Sequence, residues 1–123
     1  MKWRYLTLIC MAAGLWAATP AAGADEVQDP GQVEFLEQKC ETCHSVSSHD
    51  ISHTGKIKKL IGPDLAGIGD RREAPWMVAY IKRDEVGESG KKHTKPFKGS
   101  DEELQAIVDW LASLKTEESS SEP

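Results

Sequence analysis

Five consecutive residues, Cys40-Glu41-Thr42-Cys43-His44, constrain this chain more than any other stretch. Two thiols three positions apart, followed at once by an imidazole, form the pattern by which a c-type haem is attached covalently. Each sulfur adds to one vinyl group of the porphyrin, and the adjacent histidine offers a nitrogen to the iron. The pattern therefore predicts one covalently attached haem c, bound by Cys40 and Cys43, with His44 as a ligand of its iron.

Three other interpretations of the two cysteines fit less well. A redox-active pair of the thioredoxin kind opens a helix, whereas this pair is predicted to close one. A zinc site drawn from Cys40, Cys43, His49 and His53 would have five residues between its cysteine and histidine pairs, where finger patterns have about twelve. A disulfide would close too small a ring to stabilise the fold much. His49 and His53 are accordingly expected to lie in a solvated loop.

Residues 1–24 have the organisation of a secretory signal peptide. Lys2 and Arg4 precede an apolar run, residues 6–18, and small residues follow as a cleavage site. The run is shorter than the ~20 residues that a membrane-spanning helix needs. We therefore expect a soluble, exported, periplasmic protein that begins near Asp25.

Charge and cysteine content agree with export. The full chain has a formal net charge of −5, and loss of the leader would leave thirteen basic against twenty acidic residues, a net charge of −7. An acidic domain is a poor match for nucleic acid. Both remaining cysteines belong to the haem motif, so no structural disulfide is expected. The remaining 99 residues suffice for one small domain, whose core a buried haem would enlarge.

Amphipathic patterns predict helices on both sides of the motif. The first helix is predicted to begin at Asp29 or Pro30 and to run to the haem cysteines, with Val33 and Leu36 on the face that meets the haem. A second helix is predicted from Ala74 to about Arg83. Its apolar stripe consists of Trp76, Met77, Tyr80 and Ile81.

The clearest helical pattern comes last and is predicted to end near Lys115. Ser100 and Glu103 form a capping box at its start. Its apolar positions recur at three- and four-residue spacing, which predicts one buried stripe. The stripe consists of Leu104, Ile107, Val108, Leu111 and Leu114.

Between these helices lies the run Gly62-Pro63-Asp64-Leu65-Ala66-Gly67. With the haem motif and the order of helices, it makes the chain resemble the class I monohaem cytochromes c. The resemblance implies an all-α fold of three to four helices around one haem over residues 25–115. Residues 116–123 are polar and acidic, and this composition predicts a disordered tail. It implies that the Pro63 carbonyl accepts a hydrogen bond from His44 and that Leu65 packs on the porphyrin. An aromatic residue, here Trp110, should pack where the first and last helices cross.

The resemblance fails at the position that supplies the sixth iron ligand. The family has a methionine three residues before a phenylalanine, whereas here Phe97 is preceded by Thr94. His93, one residue away, is our first choice as the ligand. Met77 would have to leave its helical stripe, and a lysine of residues 91–98 would bind only when deprotonated. An open, five-coordinate iron is the fourth case.

Whether a protein ligand occupies the sixth coordination position of the iron decides between two classes of function. A closed position predicts an electron carrier between redox protein partners, not an enzyme. An open position predicts a haem protein that binds a small gas or handles peroxide, and a haem subunit of a periplasmic dehydrogenase or oxidase complex is a further alternative. No distal acid–base pair stands out in the sequence, which favours the carrier.

The leader and the haem motif together predict a processed holoprotein. Mass spectrometry of the purified protein should find an amino terminus at Asp25 and a mass raised by one haem, because haem is attached after export. An amino terminus at Met1, or a mass without the haem increment, would contradict this prediction.

Overall fold

The computed structural model describes residues 28–117, and the predicted leader, the start of the domain at Asp25 and residues 118–123 of the predicted tail lie outside these described residues. Within them the chain forms four α-helices and no strand, which confirms the all-α prediction. The helices are α1 (Pro30–Glu37), α2 (Ile68–Arg71), α3 (Ala74–Ile81) and α4 (Asp101–Ser113). Single 3₁₀ turns form at Cys40–Thr42, Ser47–His49 and Lys58–Leu60.

Helix α1 ends earlier than predicted and turns a different face inward. Lys39 has a left-handed backbone with φ of 61°, so the helix cannot continue to Cys40. Phe35 is 1% exposed whereas Val33 is 37% exposed, which corrects the predicted haem-facing side. The reason is that α1 uses its buried face to pack against α4.

The contact between α1 and α4 is close because Gly31 has no side chain. A methyl group at Gly31 would overlap the carbonyl oxygen of Ala106 and the Cβ of Trp110. Phe35 then meets Trp110 edge to face, with ring centroids 5.3 Å apart. His49 packs on the same indole at 5.4 Å, so the turn after the haem motif is also attached to this crossing.

Helix α4 forms the centre of the domain and contacts each of the other three helices. Its capping box is present: Glu103 N donates to Ser100 Oγ at 3.2 Å, and Ser100 N donates to Glu103 Oε2 at 2.6 Å. The whole predicted stripe is buried, together with Trp110. No helix within residues 28–117 combines the length and the apolar content that crossing a bilayer requires.

The chain stays attached to the domain after α4. Thr116 donates to Asp70 Oδ2 from its backbone nitrogen at 2.6 Å and from its hydroxyl at 2.8 Å. Lys115 Nζ donates to the carbonyl of Gly69 at 2.8 Å. Thr116, the first residue of the predicted tail, is therefore hydrogen-bonded to the domain. Its partner lies 46 residues back along the chain, where local sequence patterns give no sign of it.

Gly31→Ala should lower the free energy of unfolding by about 2 kcal/mol, because overpacking against a rigid backbone carbonyl outweighs the ~1 kcal/mol that alanine adds to a helix. Denaturant unfolding of the holoprotein, followed by far-ultraviolet circular dichroism, measures the change. Glu37→Ala, on the exposed side of α1, is the control. A Gly31→Ala protein as stable as the wild type would show that the helices do not need this close contact.

Candidate haem site

A cavity of about 730 Å³ lies between α3, α4 and the loops that follow the haem motif. Its volume is within the ~300–1,000 Å³ typical of cofactor sites. Much of its wall is apolar and comes from the helices and from the turn around residue 65. The apolar lining includes Phe35, Leu65, Ile68, Trp76, Met77, Tyr80, Ile81, Phe97, Leu104, Ile107 and Leu111.

The two motif cysteines lie in the cavity wall as free thiols. The amides of Cys43 and His44 both donate to the carbonyl of Cys40, at 3.2 and 3.0 Å. This tight turn brings all three side chains to the same cavity. Burial, and then the nearby charge of Glu41, raise the pKa of the Cys40 thiol to about 11. The site thus favours an uncharged sulfur, which suits a thioether bond.

His44 is oriented by a backbone carbonyl from the second loop. Its Nδ1 lies 2.9 Å from the Pro63 oxygen, and donation of this N–H leaves Nε2 with a free lone pair. Burial lowers the pKa of His44; the hydrogen bond to Pro63 opposes that change, and the nearby His93 adds to it. The imidazole is therefore kept neutral, which is the form that binds a metal.

Gly62 is a site residue that the sequence pattern indicated only as part of a turn. A Cβ there would overlap Cε1 of His44, so the backbone lies directly against the imidazole. The amide of Gly62 donates to the Cys43 carbonyl at 2.8 Å, and that of Leu65 to the Ser45 carbonyl at 2.9 Å. These two bonds attach the loop on either side of His44. The glycine before Pro63 was the available clue to this packing.

His93 lies opposite His44. The two ring centroids are 6.1 Å apart, and the ring planes differ by 11°. His93 Nδ1 lies 2.6 Å from the carbonyl oxygen of Lys95, so it has the same kind of partner as His44 has in Pro63. Two metal–nitrogen bonds of about 2 Å to nitrogens that face each other, with each ring centre about 1.2 Å behind its nitrogen, would separate the centroids by about 6.4 Å, close to the observed 6.1 Å. The spacing thus fits one metal atom between two imidazoles.

The other candidate ligands are placed differently. Met77 lines the cavity but is only 3% exposed and packs within the core stripe of α3. Thr94 also lines the cavity, but its hydroxyl is a poor ligand for haem iron.

The two histidines of the earlier loop are not part of the site. His49 packs on Trp110, and His53 is exposed and does not line the cavity. Between residues 28 and 117, no three Cys, His, Asp or Glu side chains are grouped so that they could bind a metal ion by themselves.

These residues fit a covalently attached haem: the cavity has two thiols, an apolar lining and two imidazoles in its wall. A family model described as Cytochrome c matches residues 28–115. Searches of curated proteins and of solved structures gave no match. The chain belongs to the cytochrome c family. It is thus a haem-based electron carrier, and its haem c supplies one-electron chemistry at iron.

Gly62→Ala should disturb the site without removing any metal-binding or thiol group. The added methyl would displace either the His44 ring or the loop that carries Pro63, because the two are already in contact. We expect weaker low-spin absorption of the oxidised holoprotein and a lower melting temperature. Ile57→Ala, an exposed change in the same loop, is the control. Identical spectra and melting for Gly62→Ala and the wild type would contradict the proposed contact.

Proposed function

We propose that this protein is a periplasmic monohaem cytochrome c that carries single electrons between redox protein partners, with His44 and His93 as the two axial ligands of its iron. The observation that carries the proposal is the facing pair of imidazoles, 6.1 Å apart with planes 11° apart. Each donates its Nδ1 proton to a backbone carbonyl, which leaves its Nε2 to bind iron.

The surrounding residues orient each imidazole and shield the site from water. The carbonyls of Pro63 and Lys95 fix the tautomer and raise the basicity of the nitrogen that remains. The apolar walls from α3 and α4 exclude water from the porphyrin face. With both axial positions filled, no site remains for a small substrate. This arrangement supports electron transfer rather than gas or peroxide chemistry.

The proposed location rests on the amino-terminal sequence. A leader with a basic start, an apolar run and a small-residue cleavage site directs export, and the chain retains only the two cysteines that haem requires. Both remain free thiols in the folded chain and line the cavity. The mass measurement described above tests this part of the proposal.

His93→Ala should convert a low-spin haem into a high-spin one and open the reduced iron to carbon monoxide, because it removes the sixth ligand. The wild type should have a lower reduction potential than a cytochrome with a methionine ligand, since imidazole favours ferrous iron less than a thioether does. Absorption spectra of both redox states, with and without carbon monoxide, and a redox titration measure these effects.

Matched variants identify the ligand. Met77→Leu, His49→Ala and His53→Ala should all keep the low-spin spectrum. A far-red sulfur-to-iron band in the oxidised wild type, lost in Met77→Leu, would instead identify the methionine. A wild type that is already high-spin would mean an open position, and the gas- or peroxide-binding function would replace the carrier.

A further inference from the structure

A column of stacked side chains leads from the surface to His93. Trp76 and Tyr80, four residues apart on α3, share one helix face, and their rings stack at 4.8 Å with planes 13° apart. Tyr80 meets the His93 ring edge to face at 5.5 Å and 78°. At the outer end, the Arg72 guanidinium lies 4.2 Å from the centre of the Trp76 ring. The column thus connects α3 to the proposed distal ligand.

The segment that carries His93, residues 82–99, contains no helix. Near its start the Asp84 amide donates to the Ala79 carbonyl at 2.8 Å, and near its end Phe97 packs on the core. The segment touches Tyr80 at two places: through the His93 ring, and at Gly87, where an added Cβ would lie 3.3 Å from the Tyr80 hydroxyl. Gly87 N also donates to the Lys91 carbonyl at 2.8 Å, which closes the turn between these two places. Tyr80 therefore contacts this segment on both sides of the turn that leads to His93.

A third attachment of the same segment is weaker. Glu88 forms an ion pair with Arg72 at 3.0 Å, but its side chain is 90% exposed. Ion pairs in such positions add little stability, because water screens them. Beyond the backbone hydrogen bonds at its start, the segment therefore meets α3 chiefly through Tyr80, which is partly shielded from water.

The hydrogen bond from His93 to Lys95 cannot orient the ring with respect to the rest of the domain, because both residues belong to the same segment. Tyr80 is on a helix and lies against the ring at a steep angle. We infer that Tyr80, supported by Trp76, is the positioning residue that holds the His93 ring nearly parallel to His44. This inference rests on the proposed function, since the ring angle matters to the iron only if both histidines bind it.

The angle between two axial imidazoles determines how the d orbitals of low-spin ferric iron split, and therefore the anisotropy of its electron paramagnetic resonance signal. Tyr80→Leu removes the ring that sets this angle, so the signal of the oxidised holoprotein should shift and broaden. Carbon monoxide should bind the reduced protein several-fold faster, because it enters only when His93 has left the iron. Tyr80→Phe keeps the ring and should restore both properties nearly to wild type.

Two further variants distinguish the positioning role of Tyr80 from a general loss of packing in the segment. Trp76→Leu removes the support behind Tyr80 and should shift the signal in the same direction but less. Val86→Ala, an exposed change in the same segment, should leave it unchanged. Should Tyr80→Leu fail to fold, Trp76→Leu carries the test alone.

The results distinguish the inference from the proposal on which it rests. A wild-type signal that is not that of two imidazoles overturns both. A wild-type signal typical of two imidazoles, unchanged in Tyr80→Leu and Trp76→Leu and accompanied by unchanged carbon monoxide binding, overturns the positioning role alone. A shift of equal size in Tyr80→Phe would also overturn it, because it would assign the effect to the hydroxyl.

Discussion

The packing of α4 is the interaction on which the other features of this domain depend. One side of the helix meets α1 at Gly31 and Phe35, and another side lines the haem cavity with Leu104, Ile107 and Leu111. The same helix thus closes the fold and forms a wall of the site. A loss of packing at the α1 crossing would therefore also deform the cavity, since interiors are close-packed and transmit strain.

The two imidazoles are held by segments with different surroundings. His44 follows directly on the cysteines and is enclosed by the Gly62-Pro63 backbone, whereas His93 lies in a long segment without regular structure. The Tyr80 ring, which meets His93 edge to face, is the contact from a helix that the inferred positioning of His93 uses.

Patterns local in sequence predicted much of this structure. The capping box at Ser100, the start of α3 at Ala74 and the apolar stripe of α4 follow from residues within one or two turns of each other. The haem motif identified the cofactor because its five residues carry the attachment chemistry themselves. Because Thr94 stands where the family has a methionine, the neighbouring His93 was predicted as the ligand.

The features that were missed depend on contacts distant in sequence or on single backbone angles. Lys39 ends α1 through a left-handed conformation that a lysine rarely adopts. Gly31 and Phe35 acquire their roles only when α4 lies against them. The hydrogen bond from Thr116 to Asp70 joins positions 46 residues apart. None of these leaves a periodic signal in the chain.

The enclosure of His44 has a consequence for the speed of electron transfer. Its ring is bounded by the Gly62 backbone and held by the Pro63 carbonyl, both part of a loop fastened to residues 43 and 45 by main-chain hydrogen bonds. An imidazole so confined has little room to shift when the charge beside it changes by one electron. The movement of this imidazole should therefore contribute little to the energy of nuclear reorganisation that accompanies each transfer, in either direction.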